Sequence, residues 1–169
     1  MRLFVLLLSL SAAPALAQTD GEFGAGVGLG LGTDADYDRH VAAVASADYR
    51  RGDVVFSARA SSLFNFEDSL SDVGVLAGLA YDPGIGTVWF GLGPSLVVAE
   101  DRTVCLIEPL CTPAETDVSY APGFAVGVRA MAFSTATFSV GVYGFADVNR
   151  IQSFQGLTLI IQRSWTLGI

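Results

Sequence analysis

Apolar and non-apolar residues alternate one by one along most of this chain, beginning with GEFGAGVGLGLG at residues 21–32. Phe23, Ala25, Val27, Leu29 and Leu31 share one face there, and Gly24, Gly26, Gly28, Gly30 and Gly32 share the other. A period of two is the mark of a strand with two unlike faces. A phosphate-cradling fingerprint would need G-x-G-x-x-G leading into a helix, and a flexible linker would not interleave its glycines with Val and Leu. The alternation returns at 41–50, 54–61, 73–81, 88–98, 120–130, 138–143 and 157–169, with Pro94 interrupting the fifth segment. Eight segments of roughly ten residues each match what a tilted strand needs to cross a bilayer.

The connections alternate as well. RRGD (50–53), DPGIG (82–86) and AFSTAT (132–137) are short and carry turn residues. TDADYDR (33–39), NFEDSLSD (65–72), EDRTVCLIEPLCTPAETD (100–117) and VNRIQSFQ (148–155) are longer. Short turns at one end and long loops at the other predict an all-β, eight-stranded, antiparallel up-and-down transmembrane barrel, with the short turns on the periplasmic side.

The first residues change the compartment. Arg2, the apolar run Leu3 to Leu10 and the small-x-small site Ala15-Leu16-Ala17 read as a secretory signal peptide over residues 1–17, cut before Gln18. Residues 18–169 are then one barrel domain. No apolar run approaches the roughly 20 residues of a spanning helix. The two cysteines, Cys105 and Cys111, travel to an oxidising compartment and are expected to pair, stapling a local loop. The lone histidine, His40, is far from them in sequence, which disfavours a zinc site. All nine basic residues are arginines, and loss of Arg2 takes the net charge from -8 to -9. An acidic chain without a basic patch argues against nucleic acid as a partner.

The two faces look inverted for a soluble protein. One is a continuous Val/Leu/Phe band. The other is mostly Gly, Ala, Ser and Thr with isolated Asp48, Arg59 and Arg129. Such a band exceeds what a soluble monomer exposes, whereas facing lipid it is expected. Tyr49, Tyr81, Phe133, Phe138 and Trp165 fall near the short-turn ends, and Tyr37, Phe64, Phe66 and Tyr120 near the long-loop ends, approximating two aromatic girdles. The competing reading is a soluble periplasmic barrel that holds an apolar ligand inside.

With its leader, eight alternating strands, unequal loops and terminal WTLGI, the chain resembles the small eight-stranded bacterial outer-membrane β-barrel proteins of the OmpA-barrel, OmpX and opacity-protein kind. The resemblance is architectural and covers Gly21 to Ile169. It implies residence in the bacterial outer membrane among lipid and lipopolysaccharide. It also implies recognition by the barrel-insertion machinery, which reads a terminal aromatic residue; here Trp165, Leu167 and Ile169 keep the alternation but the last residue is Ile. A monomer with a structural or surface-interaction role, acting through its loops on a surface ligand, is the expected function. A narrow channel for ions or small solutes and a lipid A-modifying enzyme are the alternatives.

Few residues carry chemistry. An eight-stranded interior is just wide enough to be filled by side chains. Asp48 with Arg59, and Arg129 with Asp147 or Glu22, are expected to form an interior polar network that plugs the barrel, although inward glycines leave room for water. His40 beside the first loop reads as a solvated surface residue. Ser46 lies about 20 Å along the same strand, too far for a hydrogen bond, so a hydrolase would need Ser69 or Ser71 instead. Asp34, Asp36, Asp38, Glu67 and Asp68, with Asp72, Glu100, Asp101, Glu108, Glu115 and Asp117, form an acidic rim at the outer end. DADYD opens like a calcium loop, but Arg39 and Ala45 stand where Gly and Glu are required. Weak divalent bridging to lipopolysaccharide is the remaining metal chemistry, and no cofactor is implied. Arg163 breaks the pattern: strict parity aims it at lipid, and a bulge between Ile161 and Trp165 would turn it inward or toward an interface.

Overall fold

The computed structural model describes residues 21–36, 38–64, 68–84, 86–101, 117–135 and 137–166. Eight strands follow one another: β1 (Glu22–Asp34), β2 (Arg39–Arg51), β3 (Val54–Phe64), β4 (Asp68–Tyr81), β5 (Thr87–Asp101), β6 (Asp117–Ser134), β7 (Phe138–Asn149) and β8 (Phe154–Thr166). Each pairs antiparallel with its neighbour in sequence, and β8 returns to β1 to close the barrel. Closure leaves no strand edge unpaired. The expected leader, Tyr37, Phe66, Glu67, Cys105, Glu108, Cys111 and Glu115 lie outside the described residues.

The alternation in the sequence becomes the two sides of the wall. On β8, Leu157, Leu159 and Ile161 point outward, with Leu159 69% exposed, while Thr158 and Ile160 are buried inside. On β1, Leu29 and Leu31 point outward and the glycines inward, with Leu31 71% exposed. The inward leucines are few and fully enclosed, such as Leu63 and Leu76. Tyr81, Phe133, Phe138 and Trp165 are exposed at the short-turn end, and Phe64 and Tyr120 at the other.

Three irregularities matter. The turn between β2 and β3 is tight because Gly52 takes a φ of 61°, open to glycine without strain. Pro94 has no N–H, and the β4–β5 ladder skips Gly93 and Pro94 before resuming in the same register, so β5 runs on as one strand. A register shift between Met131 and Phe133 on β6 turns Phe133 outward.

One expectation is corrected, and one open alternative is decided. β4 reaches back to Asp68, into the stretch read as loop, because Leu70 and Asp72 both point inward and are buried there. β8 carries no bulge: Arg163 pairs in unbroken register with Ala25 and Phe138, and its side chain is exposed on the outer face.

The interior is filled by large side chains laid over small ones. Trp89 and Tyr143 stack with ring centroids 6.2 Å apart, Tyr143 and Phe145 likewise at 6.2 Å, and Phe154 meets Phe145 edge-on at 6.4 Å. Glycines make this possible. A Cβ on Gly91 would strike the Trp89 ring, one on Gly127 both Trp89 and Tyr143, and one on Gly156 the Phe145 ring. The space over Gly91, Gly127 and Gly156, expected to leave room for water, therefore holds aromatic rings.

Candidate functional site

Charge inside a narrow, low-dielectric lumen must be paired, and two arginines anchor the pairing. Arg59 on β3 forms an ion pair with Asp72 on β4, with both side chains fully buried. Ser61 donates to the other Asp72 oxygen, Arg59 donates to the Val126 carbonyl at 3.1 Å, and its guanidinium lies 5.5 Å from the Phe145 ring centre. Arg129 on β6 reaches across the lumen to Asp48 on β2 at 2.6 Å and lies 5.2 Å from the Trp89 ring centre. Asp48, Arg59, Arg129 and Asp147, expected to form an interior network, are all buried, whereas Glu22 is only partly so, and the partners differ. Asp72, read as part of the acidic rim, takes Arg59. Asp48 takes Arg129. Asp147 is buried too and accepts from Ser95 and from Asn149 at 3.2 Å.

The outer mouth is tied together by Asp34, another residue read as rim. Its side chain is buried and folded inward. One carboxylate oxygen accepts the backbone N–H groups of Asp36 and Asp38, each at 3.1 Å, which closes the first loop. The other lies 3.1 Å from His40 Nε2 and accepts from Gln152 at 2.9 Å, linking the first loop to the segment between β7 and β8. Asn149 continues the network, donating to the Gln152 carbonyl at 2.8 Å. His40 is thus buried, where the sequence implied a solvated surface. Its position two residues before the inward Ala42 was the signal, since parity aims it into the lumen.

A nucleophile for His40 is absent among the described residues. Ser69 and Ser71 lie on the outward parity of β4, so the barrel wall separates them from the inward His40. Asp36 and Asp38 are exposed, and no group of three His, Cys, Asp or Glu converges as metal ligands among the described residues.

At the short-turn end the lumen opens into a vestibule of ≈ 220 Å³ bordered by Glu22, Gly24, Gln162 and Ser164, with Asp48, Trp89 and Arg129 also lining it. Asp48 Oδ1 and Trp89 Nε1 have no hydrogen-bond partner among the described residues, and a site this polar and roomy suits water. At the rim, Arg50 donates to both oxygens of Asp82, at 2.6 and 3.4 Å, and the Thr87 hydroxyl donates at 2.6 Å. These bonds hold the Asp82 carboxyl below the usual carboxylate range.

Comparison with solved structures bears on the fold. Neisserial surface protein A (NspA) superposes with a TM-score of 0.59 at 14% identity, over 86% of this chain and 97% of its own. Ail, the attachment invasion locus protein of Yersinia pestis, crystallised with the heparin analogue sucrose octasulfate, gives 0.61 at 11% identity, over 87% and 100%. The N-terminal β-barrel domain of Pseudomonas aeruginosa OprF gives 0.55 at 10% identity, over 87% and 98%. The fold is that of the small eight-stranded outer-membrane barrels. No protein-family model and no curated protein sequence matches the chain. At such identities an outer-membrane-type barrel is shared as architecture, and the role of the loops is a separate question.

Proposed function

We propose that this chain is a monomeric outer-membrane barrel of a bacterium, without catalytic activity, whose role is structural or surface-interactive and is exerted through its outer loops. The observation that carries the reading is the inversion of polarity. Exposed Val, Leu and Phe side chains band the outside, while Arg59–Asp72 and Arg129–Asp48 are sealed inside. A soluble barrel would arrange the two sets the other way round.

The filled lumen favours a structural over a conducting role. An ion entering the short-turn vestibule meets Trp89 and Arg129, and behind them the stacked Tyr143 and Phe145. The separation of His40 from Ser69 and Ser71 speaks against a lipid hydrolase. Charge also narrows the surface ligand. Ail's printed ligand is polysulfated, whereas the rim here carries Asp36, Asp38 and Glu100, offset by Arg39 and Arg150. This rim repels a polyanion and would meet lipopolysaccharide through bridging divalent cations.

The test is fractionation of the expressed chain, followed by denaturing gels with and without boiling and by bilayer conductance. A boiling-sensitive band in the outer membrane with no conductance is the expected result. A soluble periplasmic species would refute the membrane reading, and stable conductance would replace the structural role with a channel.

A further inference from the structure

Arg163 is a cation on the lipid-facing wall, and the function proposed so far leaves it unused. It is the first outward residue of β8 after the apolar run Leu157, Leu159 and Ile161, and Gln155 is the outward residue on the other side of that run. From Gln155 to Arg163 the strand advances about 27 Å at ~3.4 Å per residue. Tilted by ~40°, that is about 20 Å along the barrel axis, close to the ~25 Å height of a barrel's apolar band. Arg163 therefore stands at the inner boundary of the band, at headgroup depth on the short-turn side.

Its neighbours among the described residues are aromatic. The guanidinium lies 5.7 Å from the Phe138 ring centre and 5.3 Å from that of Trp165, and both rings are exposed on the outer face. Across the ladders its neighbours are Ala25 and Phe138. Among the described residues it makes no ion pair, in contrast to Arg50, Arg59 and Arg129. Two rings flank the guanidinium, whose charge has no ion-pair partner among the described residues, and a planar fork of N–H donors placed this way matches phosphate oxygens.

Resting on the membrane reading above, we infer that Arg163, held between Phe138 and Trp165, binds the phosphate of an anionic phospholipid in the periplasm-facing leaflet. An anionic lipid is favoured over a zwitterionic one because, among the described residues, the site offers a single positive charge and no ion-paired carboxylate to receive a lipid's own ammonium.

Trp165 reports on the site. The chain has two tryptophans, and Trp89 is enclosed in the lumen, so a W89F variant leaves Trp165 as the sole fluorophore. If that variant does not fold, the unsubstituted chain serves, because Trp89 is shielded from lipid by the wall. The chain is folded into phosphatidylcholine vesicles containing a minor fraction of brominated phosphatidylglycerol or, separately, brominated phosphatidylcholine. Brominated phosphatidylglycerol is expected to quench as if enriched about fivefold around Trp165, equivalent to ~1 kcal/mol. Arg163→Gln is expected to make the two lipids equal. Equal quenching in the parent, or an excess that survives Arg163→Gln, overturns the phosphate site while leaving the membrane reading intact. No quenching by either lipid overturns both.

Discussion

Replacing Arg59 by Ala is expected to cost the barrel about 3–5 kcal/mol, the usual penalty for removing one partner of a buried ion pair. Arg59 and Asp72 both have fully buried side chains, so water cannot take over from the missing guanidinium. The substitution also removes a hydrogen bond to the Val126 carbonyl and the contact with the Phe145 ring. It leaves Asp72 with the Ser61 hydroxyl as its remaining partner among the described residues. Asp72→Asn also leaves one buried charge without its counter-ion, but should be milder, because the amide oxygen still accepts from Arg59 and the guanidinium keeps the Val126 carbonyl and the Phe145 ring. Replacing both residues, as Arg59→Met with Asp72→Leu, should recover most of the loss, since hydrophobic substitutes for a buried pair are often neutral. The assay is urea unfolding of the barrel in detergent or vesicles, followed by loss of the boiling-sensitive band. A single variant within about 1 kcal/mol of the parent, or a double variant as unstable as Arg59→Ala, would refute the buried-pair argument. The single variant should also show no conductance, because Trp89, Tyr143 and Phe145 still fill the lumen.

Gly127→Val should destabilise the barrel by about 1–3 kcal/mol through overpacking, since its new side chain would run into Trp89 and Tyr143; the same urea assay reads it. Asp34→Ala removes the acceptor for two backbone amides, His40 and Gln152, so amide exchange at Asp36, Asp38 and around Gln152 should speed up while the strands stay protected. His40→Ala should leave extracted lipid A unchanged by mass spectrometry, and any change would revive the hydrolase. Asp82 is held deprotonated by Arg50 and Thr87, so its contribution is present above the usual Asp pKa of about 3.9 and is lost as pH falls through the lower folded value. The carboxyl is half exposed, which screens that contribution to under about 1 kcal/mol; the stability gap between parent and Asp82→Asn should close on acidification below pH ~4.

The local features of the barrel were legible in the sequence for a local reason. A strand's side chains alternate by geometry, so the faces of Leu29, Thr158 or Arg129 followed from counting, and the short turns followed from residues such as Gly52 whose backbone freedom is their own. Parity even reached residues that composition misassigned. His40 and Asp72 stand on inward positions of their strands, and only their polarity and their nearness to acidic loops led to a surface placement. At Arg163 alternation aimed the side chain at lipid but left a bulge open, and only the unbroken pairing with Ala25 and Phe138 decided its exposure.

What sequence by itself determined was therefore the strand count, the two faces and the tight turns, because each depends on neighbours one or two residues apart. Only the tertiary structure decided who meets whom inside. Asp48 and Arg129 stand 81 positions apart and Arg59 and the Val126 carbonyl 67 apart. Their encounter depends on how each strand is staggered against the next as the sheet closes. The same stagger lays Trp89 over Gly91 and Gly127, fills the lumen, and brings Gln152 to Asp34. Alternation says that a side chain points inward; the shear of the closed sheet sets the height at which it arrives, and height decides its partner.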